Sequence, residues 1–261
     1  MIITLLSDFG LQDNFIAVAK GVLLQSLPEV VIVDLNHEIQ PYNKLQCGYQ
    51  LKSAFTNFPP NTVHLVLFDA LPHPQSQLLA TKVNDQIILC ADNGLLPLTF
   101  FGELGKVYTN GKNAGNYLEC LHQAATFIKD FKAKDFSFEG LAEIVPEQAY
   151  TQMKPSVKEN SIECQVIHVD RFENVVLNIT QSEFEEHRAG RQFRILLPGR
   201  NTLSEISNSY GDVSENTVLC LFNSAGFLEV AINKGHASSL LGLKYAKPKQ
   251  MVYQQVKIEF S

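Results

Sequence analysis

An apolar run, Ile2-Ile3-Thr4-Leu5-Leu6, meets a polar turn at Ser7-Asp8-Phe9-Gly10. Beyond it Phe15, Val18, Ala19, Val22 and Leu23 fall on one helical face. A buried strand leading into an amphipathic helix is the start of a β-α unit. It predicts an open, layered sheet with Asp8 just past the carboxyl end of the first strand, the edge where such sheets bind ligands. Gly10 lets the turn take a positive φ or admits a ligand against the backbone. A carboxylate there suits a diol such as a ribose, because two acceptor oxygens can bridge two hydroxyls. Asp8 and Asp13 suit capping of the following helix equally well, and local sequence does not choose.

The alternation continues. Residues 30–35 read as a second strand, covered on both faces. Residues 45–58 read as a helix ended by Pro59-Pro60. Residues 63–68 form a third strand that delivers Asp69 to its carboxyl end, and residues 70–77 carry two prolines and read as a loop. Residues 78–83 and 86–90 form a strand pair turning at Asn84-Asp85, and residues 118–132 are helical again. From Pro146 to Glu159 the chain is polar and aperiodic, a connector. Short strands then recur at 162–169, 175–179, 192–197, 217–222 and 228–232, and the alternation in 251–260 suits a closing strand. The expectation is an α/β chain: an N-terminal, mainly parallel layered-sheet domain over 1–148, a linker over 149–159, and a smaller all-β barrel domain over 160–261.

Composition removes several classes. A net charge of −6 without a Lys/Arg cluster argues against nucleic acid as a partner. The longest apolar runs are too short to span a bilayer, and no basic leader or cleavage site opens the chain, so a cytoplasmic protein is expected. The cysteines, Cys47, Cys90, Cys120, Cys164 and Cys220, are odd in number, widely spaced and without a CxxC pair, so no disulfide framework or metal site is expected. No Gly-x-Ser-x-Gly, P-loop or Gly-x-Gly-x-x-Gly occurs.

Acidic residues end three strands: Asp8, Asp69 and, in Val169-Asp170-Arg171-Phe172-Glu173-Asn174, Asp170. Carboxylates at strand ends can collect around one crevice and there bind a diol, bind an amine or orient a nucleophile. Asp170 also suits a turn or a surface pair with Arg171, and Asp69 suits a cap. The stretch 221–235 has the form of a hairpin whose turn presents Ser224 and backbone N–H groups. Asn233, at its far end, can offer a bidentate amide to a purine edge.

Four segments occur together in order: Ser7-Asp8-Phe9-Gly10 with Asp13 and Lys20-Gly21; Ala91-Asp92-Asn93-Gly94-Leu95-Leu96; Val169 to Val175; and Asn223-Ser224-Ala225-Gly226-Phe227-Leu228 through Asn233-Lys234-Gly235. In this the chain resembles the S-adenosylmethionine (SAM) hydroxide adenosyltransferases, adenosine-forming SAM hydrolases related to fluorinase and chlorinase. The resemblance spans nearly the whole chain. It implies a homotrimer whose sites lie between one subunit's first domain and a neighbour's second, with SAM as a small-molecule substrate and no cofactor. It further implies that Asp8 holds the ribose diol with Tyr42 beside it. Asp170 and Ser224 would grip the methionine end, and Phe172, Asn174, Tyr210 and Asn233 would form the adenine pocket.

The resemblance also marks a departure. These hydrolases surround a water with an Asp, an Arg and a His. Asp69 matches the Asp, but the Arg position is Ser76 and the His position is Asn116. The expected catalytic set is therefore Asp69, assisted by His73 or Asn116, with His122 a further substitute. The rival expectation is a SAM- or adenosine-binding protein with lost or weak catalysis.

Overall fold

The computed structural model describes residues 1–70, 77–148, 153–244 and 255–261, and it divides into two compact units, Met1–Gln152 and Met153–Ser261. The strands of the first unit are β1 (Ile2–Ser7), β2 (Val31–Asn36), β3 (Val63–Leu67), β4 (Gln77–Val83), β5 (Gln86–Ala91), β6 (Val107–Asn113) and β7 (Ala142–Ile144). Its helices are α1 (Phe15–Ser26), α2 (Lys44–Ala54), α3 (Leu95–Thr99) and α4 (Tyr117–Ala133). The sheet order is β2-β1-β3-β5-β4-β6-β7. β2, β1, β3 and β5 run parallel, with α1 and α2 as the crossovers that parallel neighbours require. β4 then folds back on β5 through Asn84 and Asp85, both at positive φ (47° and 59°), the backbone a two-residue hairpin turn needs.

Alternation along the strands feeds two core layers. Leu5, Leu65 and Leu67 face α1 and α4, while Leu6, Val66 and Phe68 pack with Cys47, Leu51 and Leu96 on the other side. Two sequence expectations need correction here. β2 is the edge strand and none of its residues is fully buried, so its apolar run is not covered on both faces. In α1 the buried stripe is Ile16, Ala19, Val22 and Leu23. Phe15 instead leaves the core and stacks on Phe9 at 5.2 Å, with Tyr117 edge-on to both rings.

The second unit contains β8 (Ser156–Lys158), β9 (Ser161–Val169), β10 (Val175–Thr180), β11 (Phe193–Leu196), β12 (Thr202–Leu203), β13 (Val218–Phe222), β14 (Phe227–Ile232) and β15 (Gln255–Phe260), with helices α5 (Gln181–Arg188) and α6 (Ala237–Leu241). The antiparallel order is β12-β11-β15-β9-β10-β14-β13. β9 bridges its two halves: residues 161–165 pair with β15, and residues 166, 168 and 169 pair with β10. Side chains from both halves, such as Ile195 and Ile258 against Cys220 and Val230, meet in a single core, which requires the sheet to curl into a nearly closed barrel. Phe184 of α5 packs into that core edge-on to Phe193 and Phe222, on a helix started by a Thr180–Glu183 capping box. Residues 156–158, within the polar stretch read as connector, form β8 and pair with β9.

Candidate active site

β1 and β3 are parallel neighbours in register, Ser7 beside Leu67, so the residues that follow them emerge side by side. Asp8 comes one residue after β1 and Asp69 two after β3, the latter at φ 45°. Burial pushes the Asp8 carboxyl above the usual carboxylate range. Backbone N–H groups of Asp8 and Asp69 that donate to it pull the other way, and the Asp69 charge adds to the rise. Two of the acidic groups read at strand ends are thus neighbours.

The turn carrying Asp8 is held from behind. Gly10, at φ 70°, donates its N–H to the His37 carbonyl at 2.7 Å. His37 Nδ1 lies 2.8 Å from the Ser7 hydroxyl. His37 Nε2 lies 3.0 Å from Asp34 Oδ1 in a bent geometry, and Lys20 donates to Asp34 Oδ2 at 2.6 Å. Burial works against the Asp34 charge, but the Lys20 and His37 contacts outweigh it and hold that carboxyl below its ordinary value. A serine, a histidine and an aspartate in line suggest acyl transfer. Ser7 is 0% exposed, however, so no substrate reaches its oxygen, and the chain of contacts braces the Asp8 turn instead.

A second brace stands behind Asp69. Asn93, just past β5, donates Nδ2 to the Phe68 carbonyl at 3.0 Å and accepts the Leu95 N–H on Oδ1. Its own carbonyl accepts Lys44 Nζ from the start of α2. Lys44 and His37 were missed by sequence reasoning; only Asn93 lay in a quoted segment. Tyr42 sits in the loop before α2 at φ 66° and is 71% exposed. Asn116 caps α4: its Oδ1 accepts the Glu119 N–H, and its Nδ2 donates to Glu119 Oε1 at 2.9 Å. His73 and the Ser76 position lie outside the described residues. His122, on α4, offers its carbonyl to Thr126.

In the second unit Asp170 folds its own loop. Its Oδ1 accepts the N–H groups of Phe172 and Asn174, and its Oδ2 accepts Asn174 Nδ2 at 3.1 Å. Phe172 is left 71% exposed at the loop's crest, while Asn174 is buried. Exposed Ser224 rides a turn between β13 and β14 built by Asn223, whose Oδ1 accepts the Ala225 and Phe227 N–H groups. Tyr210 stands on a short 3₁₀ turn, Tyr210–Asp212, with its hydroxyl donating to Glu229 at 2.6 Å. Asn233 anchors the end of that turn, Nδ2 to the Val213 carbonyl at 2.8 Å, so one of its amide hydrogens is committed there.

Glu229 is the residue that links these pieces. It is 4% exposed, accepts Tyr210 on Oε1 and Asn223 Nδ2 on Oε2 at 3.3 Å, and lies near enough to Asp170 to feel its charge. Burial drives its carboxyl above the ordinary range, the two hydrogen bonds oppose this, and Asp170 adds to it. The available signal was one acid inside an apolar strand, Leu228-Glu229-Val230. The second unit thereby brings together Asp170, Asn174, Tyr210 and the Ser224 turn. Among the described residues no three His, Cys, Asp or Glu side chains are placed to hold a metal ion, and no helix is long and apolar enough to cross a membrane.

Comparison with known proteins gives a consistent result. The family described as SAM hydroxide adenosyltransferase matches residues 3–128 with its N-terminal domain and residues 164–250 with its C-terminal domain. A protein of Methanocaldococcus jannaschii named (R)-S-adenosyl-L-methionine hydrolase is 28% identical, the match covering 97% of this chain and 96% of that one. One of the same name from Thermus thermophilus is 26% identical over 95% and 98%. The crystal structure of an uncharacterized conserved protein from Thermotoga maritima superposes with a TM-score of 0.78 at 26% identity, covering 99% of each chain.

Proposed function

This chain belongs to the SAM hydroxide adenosyltransferase family, and on that premise we propose that it is an enzyme hydrolysing SAM to adenosine and L-methionine. Water attacks C5′, the C5′–S bond breaks with its electron pair going to sulfur, methionine leaves as a neutral thioether, and the water's proton passes to a base. A trialkyl sulfonium needs no acid to leave, so catalysis reduces to placing water in line and stripping its hydration.

The observation that carries the reading is the apposition of Asp8 and Asp69 at the carboxyl edge of β1 and β3. Paired acids attract a cationic substrate. Asp8 holds the 2′,3′-diol with Tyr42 beside it, and Asp69 orients the water and takes its proton, assisted by His73 or Asn116. Asp170 and Ser224 grip the methionine end; Phe172, Asn174, Tyr210 and Asn233 take the adenine. Each half-set is drawn from one unit, and the resemblance to the family implies a homotrimer in which one subunit's first unit meets a neighbour's second. No cofactor is needed for this displacement. Five free, buried thiols are in keeping with a reducing cytoplasm.

A second reading, a nucleoside binder with lost or weak catalysis, has one observation in its favour: the Asn116 side chain is engaged in capping α4. One assay separates the two. Purified protein is incubated with SAM of each configuration at sulfur, and adenosine is followed by chromatography beside Asp69→Ala. Adenosine formed by the wild type and lost in the variant is expected. No adenosine above the variant's level overturns hydrolysis, and calorimetric SAM binding retained in that case establishes the binder.

A further inference from the structure

Glu229 belongs to no part of the chemistry above, yet it is a buried carboxylate in the middle of β14 with Val176 and Leu221 as its cross-strand neighbours. A charge in such a place persists only where its lone pairs are used. They are used in a specific way: one oxygen takes the Tyr210 hydroxyl, the other the Asn223 amide. Tyr210 is 43% exposed, so its ring is presented outward while its hydroxyl is tied inward. The backbone at the end of its turn is tied separately by Asn233. Asn223, for its part, shapes the turn on which Ser224 sits.

We propose that Glu229 is a positioning residue for nucleoside recognition, its two oxygens locking the Tyr210 ring and the Ser224 turn into one fixed arrangement. This rests on the family reading of the site. A ring held in its bound orientation before the ligand arrives loses less freedom on stacking a base, which improves affinity without a new contact. Glutamine cannot do the same work. It has one acceptor oxygen, so keeping Tyr210 sets its NH₂ group against the Asn223 NH₂.

The test measures adenosine affinity by calorimetry and SAM turnover by steady-state kinetics, on full-length wild type, Tyr210→Phe, Glu229→Gln and the double variant. Tyr210→Phe removes one hydroxyl from a half-exposed ring and takes no apolar group out of the core, so it guards against a Glu229 variant that merely unfolds. Each single variant should weaken adenosine binding about tenfold, the scale of a lost hydrogen bond to a charged group. The double variant should be no worse than about twofold beyond the singles, since both changes break one linkage. KM should rise while kcat stays within about twofold. Wild-type binding matched by Tyr210→Phe, or strictly additive losses, overturns this inference and leaves the family reading standing. A wild type that neither binds adenosine nor forms it from SAM overturns both.

Discussion

Asp69 donates its backbone N–H to the carboxylate of Asp8. The main chain of one acid thus fixes the side chain of the other, and the Asp69 side chain takes no part in that contact.

Substitutions should separate the roles proposed for the two acids. Asp8→Ala is expected to weaken adenosine binding about tenfold or more by removing charge-assisted hydrogen bonds to the diol. Asp69→Asn keeps the backbone donor, so adenosine affinity should hold while turnover falls at least about a hundredfold, the lower end for loss of a general base. Calorimetry and initial rates read the two separately.

Asn116 offers a check on the catalytic set. Asn116→Ala should cost about 1 kcal/mol in denaturant unfolding through loss of the α4 cap, and Asn116→Ser, which keeps an acceptor for the Glu119 N–H, should recover most of it. A rate loss shared by both variants, beyond what stability explains, would show that the amide also handles the water.

His64 makes stability pH-dependent. It is fully buried between Thr4 and Gln86, and burial holds its pKa down to about 4, with the Gln86 contact opposing the fall. The unfolded chain binds this proton near the ordinary histidine value of about 6.5, so stability is full above that pH and declines as pH falls toward 4. Between pH 7 and pH 5 the loss should be about 2 kcal/mol. Urea midpoints at the two pH values measure it, and His64→Gln should flatten the difference.

The brace behind Asp8 should be cooperative. His37→Ala leaves the fully buried Ser7 hydroxyl unpaired and should cost roughly 1–3 kcal/mol. Ser7→Ala combined with it should cost less than the sum, because both changes remove the same contact. Unfolding curves of the single and double variants settle this.

A subunit-shared site predicts a trimeric mass in light scattering. A monomer at the concentrations used for turnover would break that arrangement.

Much of the first unit could be read from the chain because its signals are local. The run into Asp8, the helical spacing behind it and the Asn84-Asp85 turn each lie within a dozen residues. What could not be read depends on register. The edge position of β2 follows from where β1 and β3 lie, and an edge strand can carry the same apolar run as a central one. Ser7 and His37 are thirty positions apart, and no spacing rule joins them. The site divided similarly. The acids at strand ends were legible because topology sends strand ends to one edge. That Asn116 caps α4 and that Asn233 holds Val213 depend on short-range geometry that an amide's identity leaves open.

The small strand β8 has a practical consequence for anyone dividing this protein. A fragment begun at residue 160 would lose it and leave the backbone of Ser161–Glu163 unpaired on that side. Bare strand edges recruit other chains, so such a fragment should clump, whereas one begun at Met153 keeps its own cover.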